Sequence, residues 1–237
     1  MLQDIKLNNV FVIDIETVPQ KENFEELPIH LQELWDKKSL YQRKEGQTAN
    51  EFYERAGIWA EFGKIVCISL GIYHLEKKQI HLRVRSFAHN NETVLLKQFA
   101  NLLAKQPKNL QLCAHNGKEF DFPYLCRRML INGLPIPAQL QISGKKPWEI
   151  NHLDTLELWK FGDYKNYTSL NLLAAVFDLP TPKNDIDGSK VKEVYYQDKD
   201  LNRIAAYCQN DVITTAQLLL RFKGLPIITQ ENITLVK

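Results

Sequence analysis

Residues 9–16 read NVFVIDIE, with TVP following at 17–19. A run of apolar and β-branched side chains of this length is a buried strand, yet Asp14 and Glu16 interrupt it. Side chains at i and i+2 of a strand leave the same face, so the two carboxylates emerge side by side. Like charges this close repel, and the arrangement is costly unless a cation neutralises it. Oxygen ligands of this kind suit a hard divalent ion, Mg²⁺ or Mn²⁺. Taken alone, a carboxylate solvated at a fraying strand end accounts for the pair equally well.

Working outward, residues 64–76 and 79–88 read as strands separated only by Lys77 and Lys78, which predicts an antiparallel hairpin. A helix over 92–106 follows, capped by Asn91, with Leu95, Leu96, Phe99, Leu102 and Leu103 on one face. A strand at 110–115, a helix at 122–132, a short strand at 151–156 and a helix at 169–178 come next. A long helix over 200–223 ends at Gly224. This order predicts an α/β fold: a mixed five-stranded sheet, three antiparallel strands and then alternating strands and helices, flanked by helices. Residues 17–63 are too long for a simple connection and read as an inserted helical segment, with helices near 25–38 and 50–61. A tail follows residue 224. No Pro/Gly/Ser-rich linker divides the chain, so one domain over 1–237 is expected.

Composition narrows the function classes. The 237 residues are 44% hydrophobic and 24% charged, and 30 basic against 28 acidic side chains leave a net charge of +2. That excludes a strongly basic nucleic-acid coat and a disordered acidic tail. No apolar run reaches the ~18 residues of a membrane helix, and MLQDIKLNN lacks the layout of a secretory signal. Cys67, Cys113, Cys126 and Cys208 show no CxxC spacing and sit in apolar stretches, as reduced thiols of a cytoplasmic protein do.

Two further carboxylate settings stand out. In AHNGKEFDFPYL, residues 114–125, a strand gives way to a turn and Asp121 arrives at a helix N-terminus, where ligands collect in open α/β sheets. An ordinary N-cap satisfies the same spacing. Tyr207 and Asp211 stand four apart in the last helix, so phenol and carboxylate share a face.

Together these motifs resemble the DEDD superfamily of 3′–5′ exonucleases, in its tyrosine (DEDDy) subclass. D-x-E is matched by Asp14 and Glu16, Asn with aromatic-Asp by Asn116 and Phe120-Asp121, and Y-x-x-x-D by Tyr207 and Asp211. FVIDIETVP and NDIDGSKV at 184–191 are most similar to stand-alone predicted exonucleases that resemble the proofreading domain of B-family DNA polymerases. The resemblance implies a ribonuclease-H-like fold and phosphodiester hydrolysis with two divalent metal ions, Mg²⁺ or Mn²⁺. It implies that Asp14 bridges both ions, that Glu16 and Asp211 complete the water-activating position, and that Asp121 holds the second ion. Tyr207 would orient the water, since a phenol with pKa near 10 is a poor base. Thr17, Asn116 and Phe120 are the implied substrate contacts, Phe120 by stacking or merely by packing.

The expected substrate is the 3′ end of single-stranded DNA, released as nucleoside 5′-monophosphates, with a separate polymerase or repair protein as a partner. A DEDDy exoribonuclease is the nearest alternative. A catalytically silent nucleic-acid-binding module is a third, opposed by five intact functional positions. In the histidine subclass of this superfamily the catalytic histidine stands five residues before the last Asp, where the chain has Ala206, so the resemblance gives His115 no such role; His152, in the expected strand at 151–156, reads as structural. Basic clusters at Lys37, Lys38, Arg43 and Lys44, at Arg127-Arg128 and at Lys145-Lys146 are candidates for a phosphate approach path. With Trp35, Tyr41 and Trp59, the first of these is expected to wall a substrate groove.

Overall fold

The structure, a computed structural model, describes residues 2–163, 165, 167–180 and 186–236. Strand β1 spans Val10–Pro19. The connection after it carries helices α1 (Ile29–Ser39) and α2 (Ala49–Phe52), the latter running on as a 3₁₀ turn to Ile58. β2 (Gly63–Glu76) and β3 (Gln79–Ala88) form the hairpin, followed by α3 (Glu92–Ala104). Then come β4 (Gln111–Ala114), α4 (Asp121–Ile131), β5 (Leu153–Asp154) and α5 (Thr155–Lys160). α6 (Leu170–Val176), the short α7 (Val191–Glu193), α8 (Leu201–Phe222) and β6 (Ile233–Val236) complete the chain.

The sheet has six strands, ordered β5-β4-β1-β2-β3-β6. Five were expected; the sixth lies in the tail and pairs parallel with β3 from Leu82 to Arg85. Its four residues are mostly exposed, so no apolar period marks it in the sequence. The expected strand at 151–156 is cut to two residues because Asp154 caps a helix, its carboxylate accepting the Leu156 and Glu157 N–H groups. The insertion is also shorter than 17–63, since β1 runs to Pro19 and β2 begins at Gly63.

β1 sorts its side chains by face. Phe11, Ile13 and Ile15 enter the core formed with α3 and α4, whereas Val10 and Val12 pack against the C-terminal half of α8. Asp14 and Glu16 continue this second face beyond the point where it stops being apolar. β4 pairs with β1 only from Val10 to Val12, so the edge of β1 beyond is open on that side. The register with β2 shifts between Glu16 and Thr17, where Val66 is the extra residue; such a bulge bends the strand and re-aims the side chain that follows.

The insertion builds a small core of its own from Leu27, Trp35, Phe52, Tyr53, Ala56 and Phe62. Trp35 is fully buried, with Trp59 at 5.3 Å and Phe62 at 5.1 Å between ring centroids. A buried ion pair anchors this unit to the rest: Arg128 donates to Glu92 and, at 2.7 Å, to the Ala60 carbonyl, while Glu92 accepts the Ile65 N–H.

Candidate active site

Three elements bring the acidic side chains together. β1 presents Asp14 and Glu16, the first residue of α4 is Asp121, and α8 carries Tyr207 and Asp211. Asp121 is buried and accepts the backbone N–H of Ile15, the edge group that β4 leaves free. The Cys208 thiol donates to Asp14 Oδ2 at 3.2 Å and also contacts the Asp14 carbonyl at 3.4 Å. Asp14, Glu16 and Cys208 offer ligand atoms that lie within 4.8 Å of one another.

Burial of these groups perturbs their protonation. Asp14 is raised well above the usual carboxylate range by desolvation and then by the charges of Asp121 and Asp211. Glu16 is raised by desolvation and by Asp14 and Asp211. Asp121 is pushed up to about 7, chiefly by burial, with its own and the Ile15 backbone N–H groups opposing the shift. Asp211 is pushed up to about 6 by burial, against the hydrogen bond it accepts from Tyr207. The Tyr207 phenol is held above its ordinary value by burial and by Asp211, Glu16 and Asp14.

A cavity of about 490 Å³ opens beside Glu16 and is walled by Thr17, Phe120, Arg55, Gly57, Ser189 and Lys192, among others. Gly188 borders it too, and a Cβ placed there would lie 4.0 Å from the Tyr207 hydroxyl. The insertion lines this cavity with Glu54, Arg55, Gly57 and Ile58 and is tied to α4 by Tyr124, whose hydroxyl donates to the Gly57 carbonyl at 2.7 Å and accepts from Thr17.

Among the expected substrate contacts, Thr17 and Phe120 line the cavity. Phe120 also packs on Tyr124, ring centroids 5.2 Å apart. Asn116 does not line it; it adopts φ 65° in the turn after β4, with its N–H donated to Asp154. Gly117 is required next to it, since a Cβ there would meet Ala114 Cβ at 2.4 Å. His115 is structural, bonded through its two ring nitrogens to Thr155 and to the Thr168 carbonyl. His152 is buried, its Nδ1 accepting the Leu112 N–H.

The groove wall differs from expectation. Lys37, Lys38, Arg43 and Lys44 are not among the cavity's lining residues; Arg43 pairs with Asp36 and Lys38 with Glu61. Trp35 and Trp59 serve the insertion's own core, and the wall comes from residues 54–58 instead. Arg128 is spent on Glu92 and offers phosphate nothing. Asn184 and Asp185 of the NDIDGSKV stretch lie outside the described residues.

Sequence reasoning missed several contributors. Cys208 was read as plain core and touches Asp14. Asp154, hidden in a presumed strand, clamps the turn by accepting the Asn116 and Lys118 N–H groups at 2.9 and 3.0 Å. The Asp-Thr-Leu-Glu order at 154–157 is the N-cap signal that marks it. Arg55 and Lys192 had no signal beyond their charge.

This constellation can be set against known proteins. A family described as "Predicted 3'-5' exonuclease related to the exonuclease domain of PolB" matches residues 58–232. The chain belongs to this family. The matched stretch contains Asp121, Tyr207 and Asp211, and Asp14 and Glu16 precede it; the fold brings them to the others. Among solved structures, the family B DNA polymerase from the hyperthermophilic archaeon Pyrobaculum calidifontis is similar at TM-score 0.52 and 15% identity. The likeness covers 90% of this chain and 24% of that one, so the chain spans about a quarter of the polymerase. At this identity the likeness is one of fold, ribonuclease-H-like. A search of curated proteins finds no match. Among the described residues, no helix is long and apolar enough to cross a membrane.

Proposed function

We propose that this family member is a metal-dependent 3′–5′ exonuclease of the tyrosine (DEDDy) type. It acts on the 3′ end of single-stranded DNA and releases nucleoside 5′-monophosphates. The observation that carries this reading is the convergence of four carboxylates and a phenol beside a cavity whose lining includes one of them, Glu16, together with Arg55 and Lys192. The donor set fits divalent cations: it is rich in carboxylate oxygen, desolvated, and self-repelling without a counter-charge. Asp14, Glu16, Asp121 and Asp211 would hold two ions, Mg²⁺ or Mn²⁺, which when bound would supply charge neutralisation at the phosphate and a more acidic water.

The chain's own groups do the remaining work. Asp14 feels the charge of both Asp121 and Asp211 and so stands central among the carboxylates that would hold the ions. Tyr207 stays protonated at neutral pH, donates to Asp211 and fixes the line of approach of the attacking water. It positions and does not abstract a proton. Arg55 and Lys192 draw the phosphate backbone past the acidic centre. Thr17 and Phe120, both on the cavity wall, meet the 3′ terminal nucleotide. Asn116 reaches the terminal phosphate from the turn that Asp154 clamps.

The polymerase-like flank FVIDIETVP favours DNA. Relative rates on matched single-stranded DNA and RNA test that preference: a faster rate on RNA makes the protein an exoribonuclease. Tight binding without hydrolysis by folded protein makes it a silent binding module.

A further inference from the structure

A second group of metal-ligating side chains lies away from the acidic centre, at the tip of the β2–β3 hairpin. His74 and His81 are directly opposite each other in the antiparallel register, and Glu76 follows His74 by two residues on the same face. Facing positions hold their Cβ atoms about 4.5–5.5 Å apart, and the two imidazole centroids are 5.2 Å apart. Ligand atoms of the three side chains lie within 4.8 Å of one another. The hairpin closes just beyond them at Lys77 and Lys78, with φ 48° and 68°, so the strands at this end are tightly tethered and the donors pre-positioned.

We propose that His74, Glu76 and His81 form a binding site for a single Zn²⁺ ion, with water completing the coordination. Two imidazoles and a carboxylate are a borderline-soft donor set that suits Zn²⁺ and not Mg²⁺. The acidic centre, rich in carboxylate oxygen, prefers the harder ions, so the two places differ in the ion they select. Of the three side chains only His74 has another partner, the Ile72 backbone carbonyl. His74 Nδ1 is shielded from solvent and makes no hydrogen bond of normal geometry; Glu76 and His81 make no hydrogen bond or ion pair with another described residue. Burial first, and then Arg83 and His81, disfavour positive charge at His74, and Glu76 opposes them. Asp14 pairs with Ser69, five residues along β2 from His74, or roughly 17 Å. The ion therefore pins β2 to β3 far from the cleavage site, and the site does not depend on the exonuclease reading.

The full chain, titrated calorimetrically with Zn²⁺ in excess Mg²⁺, should take up one equivalent of Zn²⁺. Asp14→Asn, which disables the acidic centre, should retain that equivalent. His74→Gln and His81→Gln, at positions exposed enough to leave the fold intact by circular dichroism, should each weaken it at least tenfold. Co²⁺ should give a visible ligand-field band in the wild type that is lost in both variants. Absence of uptake by the wild type, uptake unchanged in His81→Gln, or uptake abolished by Asp14→Asn would each overturn the proposal.

Discussion

Asp14 stands where three negative charges meet, and the Cys208 thiol of α8 donates to its carboxylate. Its charge is costly in the metal-free chain and indispensable with ions bound. Asp14→Asn should therefore stabilise the metal-free protein by about 1 kcal/mol or more, about 2–4 °C in Tm for a chain this size. It should lower turnover by at least about a thousandfold, because several kcal/mol of charge stabilisation go with it. A thermal melt and a rate assay on one preparation check both halves. Tyr207→Phe separates positioning from ligation. Turnover should fall about ten- to a hundredfold through a misplaced water, with Mn²⁺ affinity by calorimetry unchanged. Equal loss of Mn²⁺ affinity in Tyr207→Phe and Asp211→Ala would contradict that division.

At the scale of elements, the insertion is held over the site by close backbone approach. A Cβ at Gly63 would lie 2.2 Å from the Tyr124 hydroxyl and 2.8 Å from the Gly57 carbonyl. Gly63→Ala should cost about 1–3 kcal/mol by overpacking, readable as a lower urea midpoint. It should also raise KM for DNA, because residues 54–58 wall the cavity. Elements with strong periods and punctuation were legible in the sequence. β1, the two-residue hairpin, α3 with its Asn91 cap and α8 with its stop at Gly224 follow from local chemistry. β6, α5 and the bulge at Val66 do not. The first is a short exposed edge, the second is a cap concealed in an apolar run, and the third exists only in the register of two strands. The acidic motifs were legible because charge inside apolar runs is costly and so conspicuous. The cationic wall was not, because Arg55 and Lys192 look like any solvated charge until the chain folds.

Across the whole molecule the buried carboxylates tie stability to pH. Asp121 and Asp211, at about 7 and about 6 against an ordinary 3.8, bind protons more tightly folded than unfolded. Their contribution to stability is fully present below about pH 3.8 and is lost as pH rises through 6 to 7. His152, pushed down to about 4, and His115, also lowered by burial, act in the opposite sense below their ordinary 6.5. A difference measurement isolates the acids. The stability gained by metal-free Asp121→Asn over wild type should be near zero at about pH 4 and grow towards about pH 8. Mg²⁺ should stabilise the wild type more at the higher pH. A gain that does not vary with pH would contradict the assignment of burial as the cause.

The central claim is that the acidic cluster hydrolyses nucleic acid from the 3′ end. It is tested most directly by a gel time course of 5′-labelled single-stranded DNA with Mn²⁺ or Mg²⁺, run beside Asp14→Ala. A ladder that shortens stepwise from the 3′ end, needs the metal and is absent in the variant is the predicted result. An intact substrate with folded wild-type protein and metal present, or an equal ladder from Asp14→Ala, would contradict it.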